Sequence, residues 1–312
     1  MQGRSDARES VGFLTVGLCA AWIAISIASV PASACTIDRP RTTPDGEWTV
    51  FESPSSDCGA GAQGPQIYLR HGGPGGAITL VSSSATGAPG GQFSHDPIIS
   101  DDGRFVYFQS NSPNLVSAGD NVYRIYEKNV RSGAVRMVSS SSAGKWADGA
   151  SFGAALSGDG RFLFFESVGT NLVPGARGYQ IYRKNLSTGE LALATADAAG
   201  KALNGSSGKA APTADGSRFA FASGAADVVP GVGGNQVYFR DLVTGAIDLV
   251  SADAKGVAGD GFSSEPAVEG DGTWVVFKSS ATNWHGFPNP TGEKRAYRKN
   301  RRTGELTAVS PN

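Results

Sequence analysis

Methionine, cysteine and histidine are scarce in this chain, with 2, 3 and 3 copies among 312 residues. No His or Cys pair has the short spacing of a metal-ligand set, so neither a metal nor another cofactor is expected. An excess of charge of either sign is missing too: 27 Lys plus Arg face 28 Asp plus Glu, for a formal net charge of -1. Binding to nucleic acid needs a clustered basic surface that releases counterions, and no such cluster occurs. After the first 34 residues, no apolar run approaches the roughly 20 residues that cross a bilayer. No serine is placed in a Gly-x-Ser-x-Gly turn between strand and helix, and His71, His95 and His285 fall in different parts of the chain. A nucleophilic triad is therefore not expected, and the histidines are read as surface residues.

Two features of the N-terminal part indicate export. Arg4 and Arg8 precede a mostly apolar stretch from Val11 to Val30, and Ala32-Ser33-Ala34 supplies the small residues that a signal peptidase needs. Residues 1–34 are read as a signal peptide, which makes the mature protein periplasmic or secreted; a retained membrane anchor is the alternative. Cys19 leaves with the leader, so Cys35 and Cys58 remain, an even pair in an oxidising compartment. A disulfide is expected; lipidation of Cys35 is the rival reading. Membrane contact is expected only through that lipid or a retained leader.

What the chain has in abundance is glycine, 43 residues, and a repeat. Many short strands joined by tight turns suit that composition better than long helices. Asp-Gly recurs at Asp45-Gly46, Asp102-Gly103, Asp159-Gly160, Asp215-Gly216 and Asp271-Gly272, at spacings of 57, 57, 56 and 56 residues. Five places after each glycine stands Phe51, Phe108, Phe165, Phe221 or Phe277, and two places after it Trp48, Phe105, Phe162 or Trp274, with Arg218 in the fourth unit. Offsets of two and five put these aromatics on opposite faces of a strand, so both faces must be buried.

The remaining strands repeat as well. Tyr68, Tyr126, Tyr182, Tyr238 and Tyr297 are each followed two places later by a base, then by a short polar turn closed by glycine and a fourth apolar segment. The segment before each Asp-Gly supplies a first strand. Four strands in a meander make one blade of a β-propeller, and sheets stacked in a ring have both faces covered. The expected fold is all-β: a propeller of five four-stranded blades, in units of about 36–93, 94–150, 151–206, 207–262 and 263–312, closed into a circle.

At this level the chain resembles the WD40-like PD40 repeats of TolB-type exported propellers. The resemblance rests on Ser-x-Asp-Gly-Arg-Phe, on the loops Asn171-Leu172-Val173-Pro174-Gly175 and Asp227-Val228-Val229-Pro230-Gly231, and on Ile-Tyr-x-Lys-Asn followed by Thr-Gly. It covers about Thr36 to Ser310 and implies a fold more strongly than a function. No separate N-terminal domain is expected before the repeats, unlike TolB itself, and only Asp120-Asn121 approaches the acidic loop of many relatives, so calcium is not expected. Cys35 before the first strand and Cys58 after the second fall at one end of one hairpin, which favours their disulfide.

Seven residues before each Asp-Gly glycine, Arg39, Asp96, Gly153, Lys209 and Glu265 hold matched positions at the expected channel entrance. Such a ring either orients a polar ligand or partner side chains, or neutralises itself. Trp146 and Trp284, outside the strand pattern, are candidates for an exposed aromatic contact or for loop packing. The recurring tyrosines are assigned to packing between blades and the bases beyond them to a blade's edge or a repeated ion pair. The leading functional expectation is a non-enzymatic module that binds a protein or peptide partner of the cell envelope at the channel mouth. A carbohydrate-binding or glycoside-cleaving propeller using Trp146, Trp284 and the mouth carboxylates Asp96 and Glu265 is the alternative; two carboxylates are its minimum requirement for cleavage.

Overall fold

The computed structural model describes residues 35–309, apart from 55, 60, 118 and 198. The expected leader lies outside these residues. The first blade consists of β1 (Asp38–Thr42), β2 (Trp48–Pro54), β3 (Pro65–His71) and β4 (Ala77–Leu80). The second has β5 (Ser94–Ile99), β6 (Phe105–Ser110), β7 (Arg124–Asn129) and β8 (Val135–Met137), and the third β9 (Ser151–Leu156), β10 (Phe162–Ser167), β11 (Gln180–Asn185) and β12 (Leu191–Leu193). The fourth has β13 (Ser207–Pro212), β14 (Arg218–Ser223), β15 (Gln236–Asp241) and β16 (Ile247–Leu249), and the fifth β17 (Ser263–Glu269), β18 (Trp274–Ser279), β19 (Arg295–Asn300) and β20 (Leu306–Ala308). Each group pairs in sequence order as one four-stranded sheet, and all pairs are antiparallel. These are the five blades of a propeller-type fold.

Local chemistry explains the Asp-Gly repeat. Asp102 Oδ1 accepts hydrogen bonds from Ser100 Oγ (2.6 Å) and from the Arg104 N–H (3.0 Å), closing the β5–β6 turn, while Gly103 takes φ 67°. Thr213, Asp215 and Ser217 repeat the device, and Ser217 and Thr213 hold the Asp215 carboxyl down at about 2. The aspartate serves the turn, and the glycine supplies a left-handed backbone.

The aromatic rungs then stack the sheets. Phe108 and Tyr126 face the preceding blade and share a core with Val50, Ile67 and Leu69. Tyr107 and Ile125, on the other face of the same sheet, join Phe165 and Tyr182 of the third blade. Phe164 with Phe221 and Tyr238, and Phe239 with Phe277 and Tyr297, form the next two junctions. All five repeat tyrosines are at most 1% exposed.

Two further repeats support each junction. A hydroxyl ladder pairs the first strand with the second at Ser94–Ser110, Ser151–Ser167, Ser207–Ser223 and Ser263–Ser279, at 2.9 to 3.0 Å. In three of the five units the base after the tyrosine reaches main-chain oxygens instead of an edge or an ion pair. Lys128, Lys184 and Lys299 are buried, and each ammonium donates to two successive carbonyl oxygens of the preceding blade's exit loop, such as Ser83 and Ser84.

The circle does not close in the way the rungs suggest. Among the described residues, no buried core cluster is shared by the fifth blade and the first. Strand β1, Asp-Arg-Pro-Arg-Thr, is exposed along its length, whereas the other first strands each open on a buried serine. The physical reason lies in composition: β1 has no apolar side chain to bury between blades. The outer part of the first blade's leading face is covered instead by its own disulfide segment, in which Cys35 and Cys58, with Cα atoms 5.0 Å apart, pack on Phe51, Tyr68 and Ile78.

Candidate functional site

The inner strands carry the residues aligned at the expected mouth. Arg39, Asp96, Lys209 and Glu265 adopt φ of 48°, 51°, 59° and 54°, and Gly153 adopts 59°. They are the only described non-glycine residues with positive φ. Each marks a bulge where the first strand slips against the second, as between His95 and Ile98. A left-handed backbone at such residues costs about 1–3 kcal/mol each. The extra residue turns these side chains off the strand edge and leaves that edge bulged and charged, a poor template for strand addition.

Three of the rim residues, Arg39, Asp96 and Glu265, are paired through their side chains. Asp96 accepts from Arg39 Nη1 and from Gln109 Nε2 (2.8 Å), and the Asp96 charge raises the Arg39 guanidinium further. His95 Nδ1 lies 2.9 Å from Glu52 Oε1, with Arg39 Nη1 3.7 Å from the other carboxylate oxygen. His95 is thus an inner residue of the mouth rather than a surface one. Glu166 Oε1 accepts the Lys209 N–H at 2.7 Å, and burial raises its carboxyl. Gly153 makes room for that carboxylate: a Cβ there would stand 2.5 Å from it. Lys278 Nζ lies 2.7 Å from Glu265 and holds the Glu265 carboxyl below the usual range.

In the glycosidase alternative one carboxyl must stay protonated and the other ionised; Glu265, held low by Lys278, fits only the ionised role. Asp120, considered for calcium, is 2.6 Å from Arg124 Nη2. The Gly149–Gly153 stretch has a Gly-x-Ser-x-Gly spelling, but Ser151 opens a strand, is buried, and bonds to Ser167.

The tryptophans part company. Trp284 is 3% exposed, its ring edge-on to Phe277 and Tyr297 and its indole N–H donating to the Val257 carbonyl, so it belongs to the core and not to a contact surface. Trp146 is half-buried at a bridge to Ser140, where the other units have Pro89, Ala202 and Ala258.

The sequence reading missed the aromatics of the mouth. Phe93, immediately before β5, is 42% exposed, Tyr179 before β11 is 46%, and Phe262 before β17 is 49%. Phe93 stacks toward His95 (6.3 Å between ring centres) and His95 toward Tyr123 (6.2 Å). Phe152 and Tyr179 stack at 5.9 Å, and the Ser151 N–H donates to the Tyr123 carbonyl at 2.8 Å, so the two groups adjoin. An aromatic strip therefore crosses the second and third blades above the charged rim. Phe93 and Phe262 each stand ten places before the Asp-Gly glycine, and Tyr123 and Tyr179 each stand three places before the repeat tyrosine, a partial recurrence that the sequence reading passed over.

With this geometry in place, comparison with solved structures gives the class. The chain aligns with a protein assigned as TolB in Agrobacterium tumefaciens over 88% of its own length and 81% of that chain, with a TM-score of 0.53 and 15% identity. Against TolB from Acinetobacter baumannii the TM-score is 0.50 at 18% identity, over 80% of this chain and 49% of that one. A prolyl endopeptidase structure gives 0.55 at 14% identity, over 90% of this chain and 37% of that one. The chain thus spans about half of the Acinetobacter protein and little more than a third of the peptidase. No family model and no curated protein matches the sequence. The fold is a β-propeller, and its resemblance is TolB-like.

Proposed function

We propose that this protein is an exported, non-enzymatic interaction module, periplasmic or secreted, that takes a protein or peptide segment at the mouth of its blades. The carrying observation is the strip of exposed Phe93 and Tyr179 with half-buried Tyr123 and Phe152 beside His95, set over a rim in which Arg39 is paired with Asp96 and Glu265 with Lys278. Aromatic side chains bury much area at low entropic cost and dominate protein contacts. The bulged inner edges favour recognition through side chains rather than strand pairing. The Cys35–Cys58 disulfide supports export.

Capture from an envelope extract by the oxidised protein tests this reading. Phe93→Ala with Tyr179→Ala is expected to remove the partners, and charge reversal at Asp96 and Glu265 to alter them. An unchanged partner set after both changes rejects the mouth as the site. A glycan array run in parallel decides the carbohydrate alternative: binding to glycans with no protein captured replaces the proposal.

A further inference from the structure

The last blade presents the receiving half of a junction that no core cluster of the described residues completes. At three internal junctions, an aromatic ring of one blade packs beneath the Asp-Gly glycine of the next. A Cβ on Gly103 would stand 2.5 Å from Trp48, one on Gly216 2.7 Å from Phe162, and one on Gly272 2.5 Å from Phe239. At the third blade the arrangement is complete: Arg183 stacks over Phe162 at 4.6 Å and its Nη1 donates to the Gly216 carbonyl at 3.2 Å.

The fifth blade repeats the receiving half. Trp274 matches Trp48 and Phe162 in the repeat, and Arg298 matches Arg183 and stacks over Trp274 at 4.1 Å. Val276 is only partly buried there, while its counterparts Val50, Tyr107, Phe164 and Ala220 are at most 2% exposed. The first blade holds the donating half. Gly46, at φ 77°, has no atom within 4 Å of a Cβ position, which is also true of Gly160 at the packed second–third junction. What sets the first blade apart is that β1 is exposed along its length. The charges agree as well. Glu52 meets His95 across the first junction, and the residues in register with that pair at the ends of the stack are Lys278, which also pairs with Glu265 of its own blade, and Asp38, which are opposite in sign.

We propose that the fifth blade of one copy receives the Asp45–Gly46 turn and β1 of a second copy, so that the protein associates head to tail. The disulfide segment already covers Phe51, Tyr68 and Ile78, which confines the joint to the inner part of the face and makes it reversible. Because the two faces differ, the contact is heterologous and each pair keeps one free end of each kind. This inference stands apart from the mouth reading.

Sedimentation velocity on the oxidised mature protein tests it. The mass of the wild type is expected to rise with concentration, while Trp274→Asp and Gly46→Trp are each monomeric. Mixing these two variants is expected to restore a heterodimer, since one supplies an intact first blade and the other an intact fifth. Should either variant fail to fold, Lys278→Asp and Asp38→Lys serve instead: each alone weakens association about fivefold, and the double variant recovers it. A wild type that stays monomeric at every concentration, or a mixture without heterodimer, overturns the proposal.

Discussion

The ammonium of Lys128 donates to the carbonyl oxygen of Ser83 at 2.9 Å, joining residues 45 positions apart on neighbouring blades. Lys184 and Lys299 make the equivalent bonds at their own junctions, so a buried cation, solvated by main-chain oxygens, is part of how the blades are held in register.

Replacing Lys128 with Met leaves the Ser83 and Ser84 carbonyls without that donor and is expected to lower stability by about 1–3 kcal/mol. Urea unfolding gives the value, and an unchanged midpoint would remove the lysine from the account.

The same lysines set an alkaline dependence. Burial pulls Lys128 down to about 8 from an unfolded value of 10.5, and Lys184 and Lys299 move in the same direction. Between those values the unfolded chain holds more protons than the folded one, so stability should rise with pH across that window. Lys128→Met should show a smaller rise. A wild type that loses stability from about pH 8 to about pH 9.5 would contradict this assignment.

At the acid end the sign is opposite. Asp215, bonded by Ser217 and Thr213, and Asp241, bonded by Arg218, are lowered to about 2 from 3.8. Their stabilisation is present above the unfolded value and is lost as pH falls through about 2. Asp215→Ala is expected to lower stability at neutral pH by about 1 kcal/mol and to flatten the acid transition. Thermal scans over that pH range read both effects.

Left-handed backbone at the rim gives a test with an unusual sign. Lys209 holds φ 59°. Lys209→Gly is expected to leave stability unchanged or raise it by up to about 1 kcal/mol, while Lys209→Val should lower it by more than that amount. Equal effects of the two substitutions would mean that the bulge relaxes in solution.

Much of the fold was legible because a repeat states the same fact five times. The Phe51 to Phe277 and Tyr68 to Tyr297 series announced burial on both faces, and Asp-Gly announced the turns. The matched rim positions were found by alignment, yet their left-handed backbone was not, since Arg, Asp, Lys and Glu do not advertise positive φ. The lysine bonds were misassigned because their acceptors are main-chain oxygens, which have no sequence. Trp284 was uncertain for a related reason: a single loop tryptophan is exposed or buried according to neighbours such as Tyr297 from a different strand. Phe93 and Tyr179 were missed because their repeat positions are aromatic in only two of the five units, Phe93 with Phe262 and Tyr179 with Tyr123. Periodicity also says that units follow one another but not through what angle, so the junction between the last blade and the first was out of its reach.

Removal of the Cys35–Cys58 bond, by reduction or by alanine at both positions, is expected to cost about 3 kcal/mol through loop closure and to uncover Phe51 and Tyr68. Amide exchange that quickens in β2 and β3 while β10 and β11 stay protected would show that the segment acts as a cap on the first blade alone.

The relation between the first and last blades is most directly tested by cysteines placed at Gly46 and Arg298 in the mature protein, followed by oxidation in dilute solution. Blades that stack only with their chain neighbours should give no cross-link within a single chain. Rapid and complete formation of a monomeric cross-linked species would show that the fifth blade lies against its own first blade, contrary to the structure described.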